Sequence, residues 1–200
     1  MGGMIRFAEP RDAAAIQAIY APNVEHAAIS FELKPPSVAE MADRMAKVTA
    51  QYPWLVAEQN GTVAGYVYAC PHRERAAYRW AVDVTVYVDA AQRRKNIGRG
   101  LYTSLLSLLR LQNYAKAFAG ITLPNPGSVG VHEAVGFQPA VVFPQIGFKL
   151  GQWRDVGWWQ IELQSFTGEP PEPRSVAELR TACASEVADA LAEGEKLLRS

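Results

Sequence analysis

At 200 residues, 49% of them hydrophobic and 20% charged, the chain suits one globular domain with a single main core. Its formal net charge is zero, so no overall basic field exists to hold nucleic acid or an anionic membrane, and neither is expected as a partner. The longest apolar runs, residues 81–88 and 104–111, are too short to span a bilayer.

Arg6, Glu9, Arg11 and Asp12 interrupt any secretory pattern near the N-terminus. Cys70 and Cys183 stand far apart, without a CxxC pair or a Cys/His cluster. A reduced cytoplasmic protein without a metal site is therefore expected.

In chain order, residues 5–7 read as a short strand and residues 10–20 as a helix, with Ile16, Ile19 and Tyr20 at helical spacing. A loop over residues 22–36 carries Ser30, Phe31 and Glu32. Ser37-Val38-Ala39-Glu40 is a capping box that opens a helix to about residue 50, with Met41, Met45 and Val48 on its inner stripe. The period then changes. Residues 54–58 and 63–69 are apolar segments joined by Asn60-Gly61, a hairpin turn because both residues tolerate positive φ.

Residues 71–79 form a polar loop, and residues 80–88 alternate. Trp80, Val82, Val84, Val86 and Val88 fall on one face; Ala81, Asp83, Thr85 and Tyr87 fall on the other unless a bulge intervenes. A helix over 101–111, a strand over 117–123, a short helix over 128–135 ended by Gly136, and strands over 141–148 and 158–163 follow. A proline-rich linker at 166–174 separates the domain, residues 1–165, from a helical tail at 175–200. That tail opens on a second capping box, Ser175-Val176-Ala177-Glu178. Val176, Leu179, Cys183, Val187, Ala190 and Leu191 give the tail an apolar stripe, which packs on its own domain or on a second subunit. Mixed helices, strands and hairpins predict an α/β or α+β layered domain.

The segment richest in chemistry is strand, basic glycine-bearing turn, helix. Arg93, Arg94, Lys95, Asn96, Ile97, Gly98, Arg99 and Gly100 occupy the turn. Backbone N–H groups at a helix start, the helix dipole and cationic side chains together favour a phosphorylated ligand. No Gly-Lys-Ser/Thr ends this turn, and the three-glycine dinucleotide fingerprint is absent.

Arg93, Asn96 and Gly98 fall on the Arg/Gln-x-x-Gly-x-Gly/Ala pattern with which the GNAT N-acetyltransferases hold the pyrophosphate of acetyl-CoA. Asn96 replaces its first glycine, and asparagine is among the few side chains that enter the left-handed region readily. A second block agrees in order: Leu123-Pro124-Asn125, Ser128, and His132-Glu133-Ala134-Val135-Gly136-Phe137. With residues 80–88, Ser30-Phe31-Glu32 and residues 153–160, the chain over about residues 4–165 resembles the phosphinothricin/methionine sulfoximine acetyltransferase branch.

The resemblance implies the GNAT fold, a mixed central sheet flanked by helices, with acetyl-CoA as co-substrate, no metal, and a homodimer. It assigns cofactor contacts to Val86, Tyr87 and Val88, to residues 93–100, and to Asn125 and Ser128, with an oxyanion donor near Val86 just past a strand bulge. Asp83, where the branch has glutamate, is the candidate base, because burial in an apolar strand raises a carboxyl pKa. His132, where most of the superfamily has tyrosine, is the candidate acid for the departing thiolate or a partner in proton removal.

Substrate contacts are sought among Phe31, Arg73, Arg75, Tyr78, Arg79 and Asp83, since arginine suits both carboxylate and phosphinate. His26 and His72 are read as surface residues, and Cys70 as a small strand residue. The expected acceptor is the α-amine of a glutamate-like compound. The alternatives are another amino acid, another small amine, a peptide N-terminus, or an acyl-CoA-binding module without turnover.

Overall fold

The computed structural model describes residues 3–199; residues 1, 2 and 200, at the ends of the expected domain and tail, lie outside the described residues. One seven-stranded sheet runs through the domain in the order β1-β2-β3-β4-β5-β7-β6. Strands β1 (Met4–Phe7), β2 (Trp54–Gln59), β3 (Thr62–Pro71) and β4 (Ala81–Val88) pair antiparallel in sequence. Strand β5 (Lys116–Leu123) joins β4 in parallel, and the hairpin β6 (Gln138–Lys149) and β7 (Gln152–Glu162) closes the sheet through β7. Helices cover both faces, giving a mixed α/β architecture with helices also at the C-terminus.

Two apolar cores flank the sheet. On one face α3 (Ile97–Leu111) lays Leu101, Leu105, Leu108 and Leu109 against Val82, Val84, Ala117 and Ala119. On the other, α1 (Ala13–Glu25) and α2 (Val38–Thr49) cover Trp54, Val56 and Tyr66 with Ile16, Tyr20, Met41 and Met45. The strand alternation predicted for residues 80–88 thus separates two cores, with Val82 and Val84 toward α3 and Tyr87 toward α1. Helix α2 starts at the predicted capping box: Ser37 Oγ accepts from Glu40 N–H at 3.2 Å, and Glu40 accepts from Ser37 N–H at 2.7 Å.

Four expectations need correction. The closing strands are longer than residues 141–148 and 158–163, because β6 and β7 form a long ladder with each other. Nearly all of β6 is solvent-exposed, so no inward alternation marks its ends. The β3–β4 register runs from Gly65↔Val88 to Pro71↔Val82 without the bulge expected in β4. The segment 166–174 is tied down rather than free: Pro171 O accepts from the Trp80 indole at 2.8 Å, and Gln112 Nε2 donates to Arg174 O at 2.7 Å.

Finally, the tail is two helices, α5 (Val176–Ala182) and α6 (Ala184–Glu195), broken at Cys183, whose φ of −130° is not helical. Its stripe packs on its own domain: Leu179, Val187 and Ala190 join the α3 core. Helix α6 approaches α3 closely where both carry glycine, so that a Cβ on Gly100 would stand 2.7 Å from Gly194 O. A Cβ on Gly194 would collide with Gly100 O and Ser104 Oγ. Beyond α6, Arg199 N–H donates to Lys95 O at 3.0 Å, and Gln59 Nε2 donates to Arg199 O at 2.8 Å.

Gly194→Val is expected to cost about 1–3 kcal/mol through overpacking. At roughly 2–4 °C per kcal/mol for a chain of this size, the melting temperature falls measurably. Gly130→Ala, with open space around its Cβ in the helix that follows β5, is the control and is expected to be neutral or stabilising. Equal melting temperatures for both variants would show that the glycine contact contributes nothing.

Candidate active site

Strands β4 and β5 are paired only from Ala81↔Lys116 to Asp83↔Phe118, and then part. The bonds from Asp89 N–H to Ala64 O (2.9 Å) and from His72 N–H to Ala81 O (3.3 Å) set the parity of the β3–β4 ladder. In an antiparallel ladder, alternate residues exchange bonds with one neighbour and direct their other groups the opposite way. Odd-numbered residues of β4 therefore bond to β3. The N–H and C=O groups of Val84, Val86 and Val88 point toward β5, which has already diverged. The result is a notch lined with unpaired backbone donors and acceptors.

A cleft of about 550 Å³ opens on the α3 side of this notch. Val86, Tyr87 and Val88 form one wall, and Arg93, Arg94, Asn96, Ile97, Gly98 and Arg99 form the end. Asn125, Ser128 and Val131, on and just before helix α4 (Pro126–Glu133), close it opposite. Arg94 and Asn96 take φ of 65° and 60°, so the turn winds its N–H groups inward as sequence reading anticipated for asparagine. The first intrahelical bond of α3 is Gly100 N–H to Asn96 O, which leaves the N–H groups of Ile97, Gly98 and Arg99 without helical partners. This set of donors and cations fits a pyrophosphate, and the β4 wall fits an amide-bearing arm. Lys95 and Gly100 do not line the cleft; Gly100 instead admits α6, and Lys95 O holds Arg199.

A narrow throat continues from the cleft through the sheet. Thr85, Gly120 and Thr122 line it from one face and Tyr102 and His132 from the other, with Ile29 reaching in from the loop after α1. His132 is buried. Its Nδ1 lies 2.7 Å from Ser128 O, which can only accept, so Nδ1 carries the proton. Nε2 then accepts from the Tyr102 hydroxyl at 2.7 Å. Burial lowers the His132 pKa, outweighing the bond to Ser128, and holds the ring neutral. In this state Nε2 can receive a proton but has none to give. Asn125, expected along the cofactor arm, also caps α4: its side-chain oxygen accepts from Ser128 N–H at 3.1 Å.

At the vertex of the notch stands Asp83. Burial raises its pKa, opposed by a hydrogen bond from His72 and by the charges of His72 and Arg73. His72 is therefore not a surface residue: its Nδ1 lies 2.6 Å from Asp83 Oδ1, and its ring stacks on Phe118 at 4.4 Å. No sequence motif marks it, because it meets Asp83 only as a diagonal neighbour across β3 and β4. Cys70, directly opposite Asp83, is pushed up to about 11 by burial and by the carboxylate, so it stays a thiol and is no nucleophile.

The arginines of the preceding loop are not equivalent. Arg79 is held by Glu172 at 2.6 Å and lies over the Trp80 ring, whereas Arg73 folds back on His72 O at 2.7 Å. Arg75 makes no ion pair among the described residues. Tyr78 approaches the His72 ring at 6.1 Å.

Phe31 lies on β6, over Gly147, where any Cβ would collide with its ring. Its loop is pinned from three sides. Tyr20 donates to Glu32 at 2.8 Å and meets Ser30 Oγ at 2.7 Å; Arg44 pairs with Glu32 at 2.6 Å. The buried Lys149 ammonium donates to Ser30 O and Glu32 O at 2.6 and 2.9 Å. Among the described residues, no group of three or more His, Cys, Asp or Glu side chains gathers as metal ligands, and no helix is long and apolar enough to cross a membrane.

Comparison with known proteins agrees with this geometry. A family model described as "Acetyltransferase (GNAT) domain" matches residues 5–158. The phosphinothricin N-acetyltransferase of Streptomyces viridochromogenes is 39% identical over 84% of this chain and 91% of its own length. The L-methionine sulfoximine/L-methionine sulfone acetyltransferase of Salmonella typhimurium is 36% identical over 80% of this chain and 94% of its own. The crystal structure of a phosphinothricin acetyltransferase from Sinorhizobium meliloti in complex with acetyl-CoA superposes with a TM-score of 0.82 at 34% identity, covering 86% of this chain and 95% of that one. The chain belongs to the GNAT acetyltransferase superfamily and stands close to its phosphinothricin and methionine sulfoximine acetyltransferase branch.

Proposed function

We propose that this protein moves the acetyl group of acetyl-CoA directly to the α-amine of a small amino-acid-like acceptor, with phosphinothricin and methionine sulfoximine the first to test. The observation that carries this reading is the notch beyond Asp83↔Phe118, which has a basic turn suited to phosphate on one face of the sheet and the partly buried Asp83–His72 pair at its vertex.

In this reading the turn at residues 93–99 holds the pyrophosphate, while the free groups of Val86 and Val88 pair with the pantetheine amides beside Asn125 and Ser128. The acetyl carbonyl then lies in the throat, where a β4 N–H near Val86 stabilises the developing oxyanion. An α-ammonium is not a nucleophile until it loses a proton, and the Asp83 site is placed to receive it. His132 presents the Tyr102 hydroxyl at the other side of the throat, where the departing thiolate forms. Arg73 and Arg75 suit the acceptor carboxylate better than Arg79, which Glu172 already occupies. Phe31 and Tyr78 close the pocket.

The relatives' substrates support the choice of acceptors to test. Thiol release from acetyl-CoA is to be measured over a panel containing both compounds, other amino acids, simple amines and a peptide N-terminus. Turnover concentrated on the glutamate-like acceptors is expected. Turnover elsewhere in the panel would move the substrate assignment, and CoA binding without turnover on any amine would favour a binding module. Asp83→Asn is expected to lower kcat/KM on the order of 10²–10⁴-fold, the usual contribution of a positioned acid–base group, with CoA affinity retained. Near-normal turnover would remove Asp83 from the mechanism.

We also infer a homodimer joined through the β6 edge rather than the tail. Edge strand β6 exposes Val141, Val142, Phe143, Ile146 and Phe148, beside Trp153 of β7, an apolar row of the kind edge strands otherwise avoid. Mass in solution is expected at twice the chain mass of 21.9 kDa. Val142→Lys with Phe148→Lys is expected to yield monomer. A monomeric wild-type protein at micromolar concentration would reject the assignment.

A further inference from the structure

We propose that His72, oriented by Asp83, is the group that takes the proton from the acceptor ammonium, with Asp83 acting behind it as a positioning residue. This inference rests on the acetyltransferase reading above and assigns the proton acceptor within it. Three observations carry it. The 2.6 Å contact between His72 Nδ1 and Asp83 Oδ1 places the Nδ1 proton against the carboxylate and so leaves the lone pair on Nε2. Nε2 makes no hydrogen bond among the described residues.

The ring is also fixed by packing: stacked on Phe118 at an interplanar angle of 22°, with the Trp158 ring perpendicular to it at 5.9 Å and Tyr78 at 6.1 Å. Third, Asp83 and Phe118 are the last paired residues before the strands part, and Trp158, which the His72 ring meets, packs on Gly120 of the throat, so the imidazole lies one ring away from that lining.

Asp83 by itself is a poorer candidate. One of its oxygens is already engaged by the imidazole, and an imidazole titrates nearer neutral pH than a carboxylate, which better matches proton removal at that pH. The titratable and charged groups around the pair are few. Cys70 faces Asp83 from β3, Arg73 follows His72 in the chain, and Tyr78 comes from the loop; β5 and β7 contribute the uncharged Phe118 and Trp158.

In the step, the acceptor ammonium gives one proton to Nε2, and the freed amine attacks the thioester carbonyl, forming the C–N bond. As the C–S bond breaks, the nitrogen loses a second proton, which the thiolate takes up to leave CoA as its thiol. The imidazolium returns its proton to solvent.

The test compares His72→Phe, which keeps a ring on Phe118, with His72→Asn, which keeps an N–H donor for Asp83 but has no basic nitrogen. Both are expected to lose kcat/KM on the order of 10²–10⁴-fold and to lose the acidic limb of the pH–rate profile, with the KM for acetyl-CoA unchanged. His72→Phe combined with Asp83→Asn is expected to be no more than a few-fold worse than His72→Phe alone, because the pair acts as a unit. Wild-type kcat/KM and an unchanged profile in either folded His72 variant would overturn the proposal.

A readout independent of turnover is the tautomer of His72, read by nitrogen-detected NMR. The proton is expected on Nδ1, against Asp83, in the wild type and to redistribute between the two ring nitrogens in Asp83→Ala. An Nε2–H tautomer in the wild type, or a distribution that Asp83→Ala leaves unchanged, would overturn the pair. If the wild type acetylates no amine, the acetyltransferase reading fails, while the tautomer still decides the pairing of His72 with Asp83.

Discussion

The structure depends on one break in hydrogen bonding: β4 leaves β5 after Asp83↔Phe118. A parallel pair held for three residues and then released leaves backbone N–H and C=O groups without strand partners. Such groups need water, a side chain or a ligand to satisfy them. Because the register of β4 on β3 is uninterrupted, the parity of these free groups is fixed, and they fall on Val84, Val86 and Val88. The same divergence opens a hole between the two cores. A group bound on the α3 face can thereby meet one bound on the α1 face.

The chemistry along that path is graded. Cationic side chains and free helix N–H groups crowd the outer end at Arg93–Arg99, suited to phosphate. The throat is neutral: His132 keeps a single proton on Nδ1, and Tyr102 donates to its Nε2. Beyond it lies Asp83, made more basic by burial and partnered by His72. The α1 side of the sheet is bounded by a loop that Tyr20, Arg44 and the buried Lys149 all hold. Three anchors from three elements limit the motion of this loop, which sets Phe31 over Gly147 and Ile29 in the throat.

Residues beyond about 165 add a brace. Helix α6 seats Gly194 against Gly100 in the first turn of α3, and Arg199 bonds to Lys95 in the turn itself. The start of α3 is thus held on its outer side by the tail while its inner side faces the cleft. Glycine at 100 serves a helix–helix contact here, although its position beside Gly98 in a basic turn suggested a phosphate role.

Local signals carried much of the fold. The Ser37 and Ser175 capping boxes, the Asn60-Gly61 turn and the alternation of residues 80–88 each report a short-range preference, so they are legible in the chain itself. The two motif blocks around Arg93–Gly98 and Asn125–Phe137 are legible for the same reason: a turn and a helix start are made from contiguous residues.

What sequence could not reveal depends on partners distant in the chain. His72 becomes part of the site only through antiparallel register with β4, Lys149 only through a contact more than a hundred residues away, and Tyr102 only by meeting His132 across two helices. The missing bulge, the break at Cys183 and the exposed β6 edge belong to the same class. Sequence by itself determined most of the elements, the basic glycine-bearing turn and the carboxylate in an apolar strand, because those follow from neighbouring residues. Tertiary structure alone decided what that carboxylate touches, since strand register, not chain proximity, chooses the partner of Asp83.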